Sequence, residues 1–106
     1  MNILVVDDEP LIHLSIEKLI LASSEDCQVS HAYNGQQMLE LLKSQRFQLA
    51  YVDIKMPGLT GLEAIRLAKE ASPSTRYYIM TGFDEFEYAK QAVKLKVEDY
   101  LMKPLD

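Results

Sequence analysis

The feature that most constrains this chain is an apolar run too short for a helix that ends on acids. Ile3-Leu4-Val5-Val6 leads straight into Asp7-Asp8-Glu9-Pro10. A short β-branched run of this kind reads as a strand buried on both faces, as in a parallel sheet covered by helices. Pro10 suits the first turn of a helix, where its missing N–H costs nothing. Ile12, Ile16, Leu19 and Ile20 then recur at helical spacing on one face. The alternation continues along the chain. "CQVSHAY" is a weaker second strand. Asn34-Gly35 makes a turn, and Asn34 is placed to cap a helix around "QQMLELLKS". "FQLAYVDI" is a third strand, "KMPGLTG" a loop, and "LEAIRLAKEA" a helix with Leu62, Ile65 and Ala68 on one side. Ser72-Pro73-Ser74 breaks it before a fourth strand, "RYYIM". "TGFDEF" runs into a helix with Phe86, Ala89, Ala92 and Val93 on one side, and "DYLM" is a last short strand.

Strict alternation with short connections predicts parallel strands joined by right-handed helical crossovers. The expected fold class is α/β, a flavodoxin-like doubly wound sheet of five parallel strands in the order 2-1-3-4-5. The 106 residues suffice for one domain with one core. Repeats, low-complexity tracts and linkers are absent from the sequence. A net charge of −5 argues against a nucleic-acid surface, which needs excess Lys and Arg. No apolar run approaches the roughly 20 residues of a membrane span. The start, "MNILVV", lacks the basic region of a signal peptide. Cys27 is the one cysteine, so no internal disulfide can form, and a cytoplasmic location is expected.

Polar residues collect where strands end. Asp7 and Asp8 follow the first strand, Asp53 ends the third, Thr81 follows the fourth and Lys103 the fifth. In a parallel sheet these positions share one edge. With this strand order the first and third strands flank the switch point where ligands bind. Asp7, Asp8 and Asp53 would converge there. Ionised carboxylates that crowd together repel unless a cation joins them. Hard oxygen donors of this kind suit Mg²⁺, which shares its shell with water and phosphate. A cation and a lysine beside a carboxylate suggest phosphoryl transfer, with the carboxylate as nucleophile. The Thr81 hydroxyl and the Gly82 N–H could donate to the same oxygens.

The motifs "VVDDEP", "VDIKMPGLTGLE", "MTGFDEFEYA" and "DYLMKP" resemble those of the receiver domain of two-component response regulators. Asp8 to Asp53 is 45 residues, Asp53 to Thr81 is 28, and Thr81 to Lys103 is 22. The resemblance runs from Ile3 to Asp106, so residues 1–106 read as one receiver domain. It implies that Asp53 is the phosphoacceptor for a sensor histidine kinase. It implies that Asp7, Asp8, Asp53 and the backbone carbonyl of Lys55 hold Mg²⁺. Thr81, Gly82 and Lys103 would contact the phosphoryl group, and Thr81 and Tyr100 would act together as a switch. Lys103-Pro104 would be a cis peptide, a form found in about 5–6% of such bonds. The helix before the fifth strand and that strand itself would then change their shared surface, a population shift biased by phosphate.

Several residues have plainer readings. Asp7 and Asp8 alone could be a solvated turn before a helix; Asp53 and Lys103 in register argue for a shared site. Tyr100 could equally be a strand aromatic, and Thr81 before Gly82 could be turn chemistry. His13 lies off the apolar helix face and is expected in solvent. His31 is expected at a strand end without a catalytic role, and with Cys27 the two histidines make no metal set. Met38, Met56 and Met80 read as packing residues.

Two departures from the family pattern stand out. Lys96 occupies the position before Val97 where receivers usually place a glycine in a left-handed helix cap. The chain also stops at Leu105-Asp106, before a receiver's fifth helix. The expectation is a fragment of a longer protein with an apolar patch beside the first helix, which a homodimer would cover. An output domain outside this chain, of the AraC helix-turn-helix type by resemblance, would carry DNA binding and transcription regulation. The alternative is a phosphorylation-independent receiver-like interaction module. An enzyme of this architecture is disfavoured: a flavin protein would want a phosphate loop in place of "DDEP", and an aspartyl-phosphate phosphatase would want a cap domain.

Overall fold

The computed structural model describes residues 1–23, 26–82 and 96–102, the side chains of Tyr100 and Met102 excepted. The elements follow the predicted alternation: β1 (Asn2–Val6), α1 (Pro10–Ser23), β2 (Gln28–Ala32), α2 (Gly35–Ser44), β3 (Leu49–Asp53), α3 (Gly61–Ala71), β4 (Arg76–Thr81) and β5 (Asp99–Met102). All neighbouring strands pair in parallel, in the order β2-β1-β3-β4-β5. The helix predicted around Phe86, Ala89, Ala92 and Val93 lies outside the described residues, as do Lys103 and Pro104.

Side-chain alternation along the strands builds two layers. Leu4, Val6, Ala50, Val52, Tyr77 and Ile79 face α2 and α3, where Met38, Leu42, Leu62, Ile65 and Ala68 complete the main core. Val5, Tyr51 and Met80 face the other way and meet Ile12, Ile16 and Ile20 of α1. The three methionines read as packing residues are all buried. Leu19 departs from the expected face and is 45% exposed. It sits at the margin of an apolar groove beside α1 that Ile16, Ile20, Leu49, Tyr51 and Leu101 also line.

Caps form where the sequence places them. Asn34 Oδ1 accepts from the Gln37 N–H at 2.8 Å and starts α2. Thr60 Oγ1 accepts from the Glu63 N–H at 3.2 Å, capping α3, and donates to Glu63 Oε1 at 3.1 Å. Tyr77, fully inside, donates its hydroxyl to the Ser72 carbonyl at 3.0 Å. Tyr78 stacks on Tyr51, with ring centroids 5.2 Å apart.

Lys96 has φ +57°, the left-handed conformation that the missing glycine foretold. A side chain there costs about 1–2 kcal/mol. Part of that would be offset by the greater unfolded freedom of glycine, about 0.5–1 kcal/mol. Lys96→Gly is therefore expected to stabilise the fold, by up to about 1 kcal/mol, which in a domain of this size raises Tm by roughly 4–8 °C. Thermal denaturation followed by circular dichroism checks this; an unchanged or lower Tm would contradict it.

Candidate metal and phosphoacceptor site

Register brings the acids together. Val6 pairs with Val52 across β1 and β3, so Asp7 leaves its strand level with Asp53. Asp7 is fully buried, Asp53 is 3% exposed, and Asp8 next to them is exposed. One carboxylate oxygen from each lies within 4.8 Å of the other two. Among the described residues this is the one His, Cys, Asp or Glu cluster with metal-ligand spacing. Two buried carboxylates and one exposed one are all hard oxygen donors. They fit a divalent cation of the Mg²⁺ or Ca²⁺ type, with the open side left to water or substrate.

Asp7 is held from several sides. Its N–H donates to the Ala32 carbonyl at 3.2 Å, which ties the end of β1 to β2. Its Oδ1 accepts from the Glu9 N–H at 2.9 Å, a turn made by the side chain itself. Its carbonyl meets Nε2 of His13 at 2.7 Å. His13 corrects the sequence reading, which put it in solvent. It is only 3% exposed, tilted against Tyr33 with ring centroids 4.3 Å apart and with its Nδ1 2.7 Å from Nδ1 of His31. Helical periodicity counted His13 as off the apolar stripe, yet α1 turns that side toward the β1 and β2 ends, where a polar ring finds polar partners. Burial holds the His13 pKa below the ordinary histidine value, against the opposing pull of its hydrogen bond to Asp7. His31 is half-buried and its Nε2 lies 3.4 Å from Glu17 Oε1. β2 thus braces the acid pair through the Ala32 carbonyl and through His31 on His13.

The other predicted residues surround the same edge. Lys55 and Gly82 line one open cleft with Asp8, Glu9 and Asp53. Thr81, 2% exposed, ends β4 one strand over from Asp53, whose register partner is Met80. The Tyr100 backbone pairs with Ile79 in β5, while its side chain lies outside the described residues. The Lys103-Pro104 peptide does too.

Gly61, unremarked in the sequence, is needed for the loop after Asp53 to close. Its N–H donates to the Ile54 carbonyl at 3.0 Å, and a Cβ at this position would overlap the Asp53 carbonyl oxygen. The signal was a glycine at the first helical position after a Thr cap, where helix propensity would favour alanine. Propensity alone would make Gly61→Ala stabilising by about 1 kcal/mol. Overlap with backbone should outweigh it, with a cost of about 1–3 kcal/mol or more. Urea denaturation gives the sign: a lower midpoint is expected, and a higher one would contradict the close approach.

Fold and site together define a parallel α/β domain with an acidic pocket at the carboxyl edge of its sheet. The family model of the response regulator receiver domain matches residues 3–106. The chain belongs to that family and is a receiver domain of the two-component response regulators. It is 38% identical over 97% of its length to the uncharacterized transcriptional regulatory protein YesN of Bacillus subtilis, of which it spans 28%. The receiver domain of AraT, a response regulator from Geobacillus stearothermophilus, superimposes with a TM-score of 0.90 at 37% identity, covering 99% of this chain and 82% of that one. A response regulator from Burkholderia pseudomallei, solved with a phosphorylated aspartic acid, a calcium ion and citrate, superimposes with a TM-score of 0.85 at 28% identity, covering 99% of this chain and 61% of that one. The chain thus spans about a quarter of the curated relative. No helix among the described residues is long and apolar enough to cross a membrane.

Proposed function

We propose that this domain is switched by Mg²⁺-dependent phosphorylation of Asp53, with a sensor histidine kinase as donor. The observation that carries this reading is the Asp7–Asp8–Asp53 cluster, with carboxylate oxygens within 4.8 Å of one another at the sheet edge. The calcium ion and phosphorylated aspartate of the Burkholderia relative support it. Asp7, Asp8, Asp53 and the Lys55 carbonyl hold the cation. Bound there, Mg²⁺ supplies positive charge to the transferring oxygens. A carboxylate oxygen of Asp53 attacks phosphorus and the phosphorus–nitrogen bond of the donor phosphohistidine breaks; the nitrogen keeps the bonding pair and takes a proton from water, so the donor histidine leaves as a neutral ring. Gly82 donates its N–H, Thr81 its hydroxyl and Lys103 its ammonium to the phosphoryl oxygens, while exposed Lys55 flanks the open side.

The new dianion supplies acceptors that the free carboxylate lacks. Thr81 moves toward them and Tyr100 fills the space behind it. The β4–β5 end of the sheet carries that change to an output. Transcription regulation through a further domain is the output suggested by YesN, with DNA contacted by that domain and not by this acidic one. A helix-turn-helix of the AraC type is the form the sequence resemblance favours. The cytoplasm is where such a kinase partner and DNA would be met.

Intact mass after incubation with acetyl phosphate tests the reading. One added phosphoryl group is expected with Mg²⁺, none after chelation, and none in Asp53→Asn. A folded parent that gains no mass would instead support the phosphorylation-independent interaction module.

A further inference from the structure

We propose that His13 is a positioning residue for the cation site: its Nε2–H clamps the Asp7–Asp8 peptide, with His31 fixing which His13 nitrogen carries the proton. The inference rests on the reading of Asp7 and Asp8 as metal ligands.

Hydrogen-bond bookkeeping sets the proton positions. A backbone carbonyl only accepts, so at 2.7 Å from the Asp7 carbonyl His13 Nε2 must donate. A neutral ring that donates at Nε2 accepts at Nδ1. His13 Nδ1 therefore takes a hydrogen from His31 Nδ1, 2.7 Å away. The result is a directed line of donors from β2 through α1 to the end of β1.

The clamp acts at the point of greatest need. Asp7 and Asp8 share one peptide unit, and its carbonyl is the atom His13 grips. The exposed Asp8 side chain takes its direction from that unit and from the peptide after it. Mutual repulsion among the three carboxylates pushes the loop open when no cation is bound. A buried N–H on the Asp7 carbonyl resists this opening and keeps the oxygens spaced for a cation. Partners of this outer kind are worth roughly 10- to 100-fold in metal affinity.

Two polar variants that differ in reach give the test. The side-chain amide of Gln extends about as far as His Nε2, whereas that of Asn stops near the position of Nδ1. Calorimetric titration with MgCl₂ is expected to show affinity lowered about tenfold or more in His13→Asn, and close to that of the parent in His13→Gln. A merely structural role would lower Tm in both without separating their affinities, and equal affinities would overturn the inference. If a variant does not fold, the parent decides: long-range ¹⁵N–¹H spectra should show His13 protonated at Nε2 and bare at Nδ1. The opposite tautomer would overturn the proposal. A parent that binds no Mg²⁺ while showing the expected tautomer would reject the cation site itself and, with it, the positioning role.

Discussion

Carboxylates crowded within 4.8 Å of one another are the constraint on which the structure turns. A parallel sheet ends its strands at one edge, and here β1 and β3 end on carboxylates brought to one level by their register. Asp7 and Asp53 are then buried beside each other with Asp8 at the mouth. Such a cluster is unfavourable by itself. Hydrogen bonds from the Glu9 N–H and His13 hold the β1 end in place against this repulsion. The stability of the apolar layers sets how much repulsion the site can store.

The apolar layers do this through rigidity. β1 and β3 are central strands, each flanked by two others, and β1 residues Leu4 to Val6 are wholly inside. At this edge the loops after the strands carry the acids, and one of them is drawn in by Gly61 lying on the Asp53 carbonyl. The cleft that results has buried Asp53 at its floor and exposed Asp8, Glu9 and Lys55 at its rim. That division would suit the proposed switch, in which charge added at Asp53 would arrive on a rigid strand end and the response would pass to the more open rim.

Much of this was legible in the residues. Short β-branched runs and helical periodicity were enough for element order, and Pro10, Asn34 and the Ser72-Pro73-Ser74 break marked boundaries that the structure keeps. The convergence of Asp7, Asp8 and Asp53 followed from topology, and the left-handed Lys96 from a glycine missing where a cap needs one. Periodicity failed at His13, because a helix face can be buried against polar strand ends as well as against an apolar core. His31 stands at the strand end expected of it, but its contact with His13, 18 residues away in sequence, leaves no local signal. Gly61 was missed because its requirement is a close backbone approach, which leaves no mark in local propensity.

The central claim is that the acid cluster stores repulsion that a divalent cation relieves. Thermal unfolding of the parent and of Asp8→Asn, each with and without Mg²⁺, tests it most directly. Removing one charge should raise Tm in the absence of Mg²⁺. Mg²⁺ should then stabilise the parent, by about 2.7 kcal/mol at a hundredfold excess over Kd, and stabilise the variant far less. A parent indifferent to Mg²⁺, together with a variant less stable than the parent without it, would contradict the account.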